Sequence, residues 1–281
     1  MHVDTHRSRR ELLLRGAAAA VAIGAVAAPG ALWAQSGQGA AQVHEAAAEF
    51  PQGGVSIPQG IPNISGAWER YRARPGEAGA PPPEPPPPLK PDDLKAWQDR
   101  AAARRAADAA GQPLINGNAY CLPDGMPGMM SGPFPFEFLQ SPGEVAVVQE
   151  AYNQIRRIYL DKPQMDLAEY DPGFYGRSVG HWENGVLTVD TIGVKDTVRF
   201  RDVPHSPKMR ISERIHLATP DILWDEITID DPDVLTKPWQ LTFAYKRMPG
   251  YEILEYVCED NREGADENGV LRLNGAATNS Q

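Results

Sequence analysis

Three stretches of this 281-residue chain set proton-moving and anion-binding residue types at spacings that β-strands would bring together. The run "GRSVGHWENGVLTVDTIG", residues 176–193, reads as two alternating segments around Asn184-Gly185, a dipeptide that favours a two-residue hairpin turn. That turn fixes the register, placing His181 opposite Thr188 and Val179 opposite Asp190. His181 and Asp190 then lie diagonally on one face, within side-chain reach, as a general acid–base pair would. The opposite face, with Ser178, Gly180, Trp182, Leu187, Val189 and Thr191, is apolar enough to meet a core. Alternation alone leaves open whether the His181 face meets solvent or a polar lumen.

The run "DVPHSPKMRISERIHL" holds His205 between Pro204 and Pro207, in a loop that those rings stiffen. In the strand that follows, Ser212, Arg214 and His216 share one face, and Ile211, Glu213, Ile215 and Leu217 the other. A carboxylate in an apolar row is costly unless paired. Glu213 is therefore either an acid–base group or the buried partner of an arginine. The run "NQIRRIYLD" supplies such arginines. Arg156 and Arg157 point to opposite faces, so a closed barrel takes one inward. There it can stabilise an anion or pair with Glu213 or Asp190. The candidate catalytic set is His205, Glu213, His181, Asp190 and Arg156. Ligand contact falls to Arg157, Tyr175, Arg214 and Trp182, joined by Met129 and Phe136. The last two come from "CLPDGMPGMMSGPFPFEF", whose apolar content suits a lid on a pocket or a plug in a barrel end. No HxH, HExxH, P-loop or GxGxxG spacing occurs, and "GRSVG" sits in a strand without the helix that a nucleophile elbow needs. Neither a metal nor a cofactor is expected.

These residues need strands to position them. Alternation with β-branched and aromatic enrichment marks residues 64–71, 144–151, 154–160, 177–183, 186–192, 210–217, 223–230, 239–247 and 252–258. About nine strands with mostly short links predict a single, mainly antiparallel β-barrel, lipocalin-like in style. One helix is expected over residues 92–110, capped by Asp92 or Asp93 and ended by Gly111. Ahead of it, residues 75–91 hold nine prolines and read as an extended strap.

The N-terminus carries Arg9-Arg10 before a leucine run and a small-residue apolar stretch. That pattern predicts a secretory signal of twin-arginine type over residues 1–34 and a periplasmic or secreted product. Residues 35–60 follow as a flexible lead-in, 61–262 as the barrel domain and 263–281 as a tail. The whole chain has a net charge of −10, and its first 34 residues hold four arginines against two carboxylates, leaving about −12 for the rest. An acidic chain without a basic stripe is a poor nucleic-acid binder. No later apolar run is long enough to span a bilayer. Cys121 and Cys258, the only cysteines, are expected to pair in an oxidising compartment.

The pieces "GRSVGHWENGVLTVDTIG", "PHSPKMRISERI", "ITIDDPDVLTKPW" and "LEYVCEDN" resemble a broad family of exported bacterial proteins to which no reaction is assigned. The resemblance spans most of residues 62–260 and includes Trp182, Glu183, Asp190, Thr191, His205, Glu213 and Arg214. His181 and the long proline strap depart from its pattern. What it implies is a shared scaffold carrying His205 and Glu213, with His181 a tuning residue. "SGAWERY" also resembles the Gly-x-Trp start of lipocalin-like barrels. The expected function is a cofactor-independent enzyme acting by proton transfer, as a lyase, isomerase or hydrolase, on a hydrophobic or aromatic small molecule. The alternative is a non-catalytic carrier or sensor. The two separate by geometry, since an enzyme converges several titratable groups in one pocket and a carrier offers an apolar cavity with one polar anchor.

Overall fold

The computed structural model describes residues 57–74, 76–112, 114 and 121–258. The expected signal, most of the lead-in and the tail lie outside the described residues. Nine strands close into a barrel in sequence order. They are β1 (Gly66–Arg70), β2 (Phe136–Ser141), β3 (Glu144–Gln149), β4 (Gln154–Leu160), β5 (Arg177–Glu183), β6 (Val186–Ile192), β7 (Arg210–Thr219), β8 (Ile222–Asp230) and β9 (Trp239–Arg247). β1 pairs with β9 to complete the ring, so no strand edge is left open. Eight of the nine expected strands form, and alternation sets their faces: Ile211, Glu213 and Ile215 of β7 are buried while Arg210, Ser212 and Arg214 are not.

Two strand assignments change. Residues 252–258 form no strand, because a closed barrel offers them no edge. They are held instead by side chains, with the Tyr251 hydroxyl and Leu254 N–H donating to Glu150 and the Asn153 amide donating to the Tyr256 carbonyl. The ninth strand is β2, hidden in the sequence behind the proline- and glycine-rich run before it. Phe136, Phe138 and Gln140 alternate inward from it. Phe136, expected on a covering loop, is therefore a core strand residue, edge-to-face with Phe138 and Tyr245.

All neighbours are antiparallel except β4 and β5, which run parallel. Nine strands cannot alternate in direction around a closed ring, so at least one parallel pair is unavoidable. Here the crossover of residues 161–176 carries the chain back to start β5 beside β4. It is pinned to the barrel by the Gly173 N–H donating to the Gly193 carbonyl and the Lys195 N–H donating to the Gly173 carbonyl.

Helix α1 (Pro91–Ala109) starts with proline at its first position and has no side-chain cap, so Asp92 and Asp93 serve only as acidic residues in the first turn. Leu94 and Trp97 pack partly against the core, and the Trp97 indole donates to the Arg201 carbonyl. Arg100 and Arg104 reach Asp202 rather than facing solvent alone. The nine prolines of the strap offer no N–H groups, so apart from the Lys90 N–H, which donates to the Val234 carbonyl, the barrel binds mainly its carbonyls. The indoles of Trp224 and Trp239 donate to Gly79 and Pro85, and the Thr236 hydroxyl donates to Pro88.

Short helix α2 (Gly128–Ser131) buries Met129 and Met130 and plugs one barrel end. The Tyr245 hydroxyl donates to the Met130 carbonyl at 2.7 Å and the Gln149 amide to the Met129 carbonyl at 2.8 Å. The segment leading to this plug is tied down by the Cys121–Cys258 disulfide, which joins positions 137 apart in sequence. Closing so long a loop constrains the unfolded chain. Cys121→Ser with Cys258→Ser should therefore lower stability by about 2–5 kcal/mol. Urea unfolding checks it, and an unchanged midpoint would remove the disulfide from the stability account.

Candidate functional site

The barrel interior contains a fully buried charge cluster. Arg156 lies inward on β4 and donates from Nη1 to Glu213 Oε1 at 2.8 Å, with Nη2 donating to Oε2 of the same carboxylate. Its remaining donors meet the Ser178 hydroxyl (3.1 Å from Nε and 3.0 Å from Nη2) and the Thr191 hydroxyl (3.1 Å). Arg156, Glu213, Ser178 and Thr191 are each at most 1 % exposed. Burial works against the Arg156 charge, but the Glu213 carboxylate outweighs it and the guanidinium is held above its usual range.

Asp225 of β8 completes the cluster at 0 % exposure. No donor reaches either of its carboxyl oxygens. Burial, and then the neighbouring Glu213 charge, push this carboxyl well above the usual range, against the opposing pull of Arg156 and Arg70. A neutral Asp225 that donates its own proton to Glu213 reconciles these facts. The Arg156–Glu213 ion pair then has a neutral acid beside it. Tyr245 stands beside it, its hydroxyl also raised by burial and by Asp225. Arg70 closes one side, stacked over Phe243 at 4.4 Å. Asp225 and Tyr245 escaped the sequence reading. The signal was present, since Asp225 interrupts the inward row Leu223, Ile227, Ile229 just as Glu213 interrupts its own.

The other expected catalytic groups lie elsewhere. His181 and Asp190 share a face as the hairpin register required, and that face is the outer one. His181 contacts the Thr188 hydroxyl at 3.0 Å, while Asp190 accepts from Arg210 at 2.9 Å and from the Gln164 amide at 3.1 Å. With Lys162 and Arg214 they border a wide, open trough. Arg214 pairs loosely with Glu226, at 3.6 Å. His205 is used structurally, its ring nitrogens against the carbonyls of Lys195 (2.9 Å) and Ser206 (3.0 Å). The crevice beside it, between Phe200, Met126 and Trp239, measures about 20 Å³, room for about one water. His205 and Glu213 therefore share no cavity.

A ligand-sized opening exists at the barrel end opposite the plug. It holds about 250 Å³ between the β2–β3 turn (Pro142, Gly143), Leu160, Trp182 and residues 57–61. Its lining is mostly apolar. Gln140 is already committed, accepting from the Ile64 and Ser65 N–H groups and donating to the Pro62 carbonyl. Among the described residues, Asp161 is the one ionisable residue lining it. Of the residues assigned to ligand contact, only Trp182 lines this opening. Met129 and Phe136 are core, and Arg157 and Tyr175 border a separate outer groove.

Among the described residues, no three His, Cys, Asp or Glu side chains are grouped to hold a metal ion. No helix among them is long and apolar enough to cross a membrane. Compared with models of known protein families and with curated proteins, the sequence matches none of either.

Proposed function

We propose that this protein is a small-molecule carrier or sensor that works in an oxidising compartment outside the cytoplasm and takes a hydrophobic ligand at the barrel mouth. The observation that carries this is the mouth itself, an apolar opening of about 250 Å³ with Asp161 as its single ionisable anchor among the described residues. Buried apolar surface supplies the affinity, and Asp161 selects ligands that carry an amine or a hydroxyl donor. The Cys121–Cys258 disulfide supports the compartment.

The enzyme reading needs titratable groups that meet a substrate. Arg156, Glu213, Asp225 and Tyr245 do converge, but side chains fill the space around them. On β4, Ile158 and Leu160 separate Arg156 from the mouth, a distance of about 13 Å along the strand. Binding is thus the better-supported class.

Trp182 reports directly on the mouth. Titration with a hydrophobic primary amine such as phenethylamine should change tryptophan fluorescence saturably. Trp182→Ala should weaken binding about tenfold or more, and Asp161→Asn should weaken the amine while sparing an uncharged analogue. Saturable binding that survives both substitutions would place the ligand elsewhere and end this proposal.

A further inference from the structure

The outer face of β4 and β5 carries a second, chemically different surface. Between the strands and the crossover of residues 161–176 runs an open groove of about 510 Å³. Three tyrosine rings, Tyr159, Tyr170 and Tyr175, and three cations, Arg157, Lys162 and Arg177, border it, and no carboxylate lines it. Arg157 is steadied from the rim by Glu144 at 2.9 Å. Arg177 and Lys162 have no carboxylate partner within ion-pair distance among the described residues. The charged side chains that line the groove are thus all cationic on a chain of net −10, while the crossover that walls it carries Asp161, Asp166, Glu169 and Asp171 outside the lining.

The groove is pre-formed. Arg177 is held by the Pro163 carbonyl (3.1 Å) and Gln164 Oε1 (2.7 Å), with its guanidinium 5.7 Å from the centre of the Tyr159 ring. The Tyr170 ring packs against the backbone at Gly193, so closely that a Cβ there would come within 2.4 Å of it. Tyr175 is pushed up to about 12, by burial and then by Asp124, so its phenol remains a hydrogen-bond donor at any ordinary pH. The Arg177 and Tyr170 side of the groove is thus held before a ligand arrives, which favours binding.

We propose that this groove binds an acidic oligosaccharide, a short run of uronate sugars. An exposed cation gains little from one carboxylate in water, so a single small anion would be held weakly. A chain of uronates presents carboxylates at intervals and engages several cations together, while its ring faces lie on the tyrosines. Its charge density is also lower than that of a nucleic acid, which the acidic remainder of the protein repels. This site is independent of the barrel mouth.

The test is calorimetric titration of the full chain with oligogalacturonate, with neutral cello-oligosaccharide, benzoate and oligothymidylate in parallel. Oligogalacturonate should bind and weaken as salt is raised. Tyr159→Ala should reduce affinity about tenfold and Lys162→Ala about threefold, both with an unchanged melting temperature. Phenethylamine binding at the mouth should be untouched by either, so the two sites fail separately. No binding of oligogalacturonate, binding indifferent to both substitutions, or equal or tighter binding of benzoate, the neutral sugar or oligothymidylate would each overturn the assignment.

Discussion

Arg156→Met should lower the stability of this protein by about 3–5 kcal/mol, the range seen when one partner of a buried ion pair is removed. The reason is the carboxylate left behind. Glu213 receives two donors from Arg156 in a site that is 1 % exposed, and the structure shows no second cation in bonding contact with it. Ser178 and Thr191, which now serve the guanidinium, would have only each other, at 2.8 Å. The double variant Arg156→Met with Glu213→Gln removes the stranded charge while leaving an amide oxygen for Asp225. It should recover at least half of the loss, because an uncharged pair escapes most of the desolvation cost. Urea unfolding of the wild type and both variants measures this. A cost below about 1 kcal/mol for Arg156→Met would mean that water enters the cluster, and the closed interior would have to be abandoned.

The second large effect is a dependence on pH. Asp225 has its carboxyl raised above the unfolded value, so the folded protein keeps a proton that the unfolded chain gives up. Its contribution to stability is complete below the unfolded carboxyl range near 4 and declines as pH climbs toward the folded value. Within that window the slope is about −1.4 kcal/mol per pH unit. Asp225→Asn keeps a donor toward Glu213 and titrates nowhere in the window. As pH rises above the unfolded carboxyl range, the wild type should therefore lose stability relative to the variant, and urea unfolding of both chains at a series of pH values measures it. Comparing the two chains cancels the titrating groups remote from the cluster. Parallel stability curves would show that Asp225 is ionised in the folded state.

Much of this fold was legible because β-structure writes itself locally. The hairpin of β5 and β6 came from two-residue periodicity and Asn184-Gly185, and its pairs, Val179 with Asp190 and His181 with Thr188, are those found. β4 and β9 also match their expected limits. The failures have one origin. Residues 252–258 alternate as well as any strand, but barrel closure between β1 and β9 leaves them no partner. β2 was passed over for the opposite reason, since Pro133, Pro135 and the methionines before it read as loop while long-range pairing with β1 and β3 made a strand of what followed. The single parallel pair could have been anticipated from the odd strand count.

For the candidate groups, the sequence by itself determined company. It put His181 with Asp190, set Glu213 among isoleucines, and sent Arg156 and Arg157 to opposite sides, because the backbone pleat alternates side chains whatever lies around it. Only the tertiary structure decided direction. Whether a strand's two faces look in or out depends on which partners it takes and how the sheet closes, and those are contacts across tens of residues. Closure brought Arg156 to Glu213, 57 positions away, and turned the His181 face outward. It left the chemistry expected inside the barrel as a sealed structural cluster, with the openings at the mouth and on the outer wall.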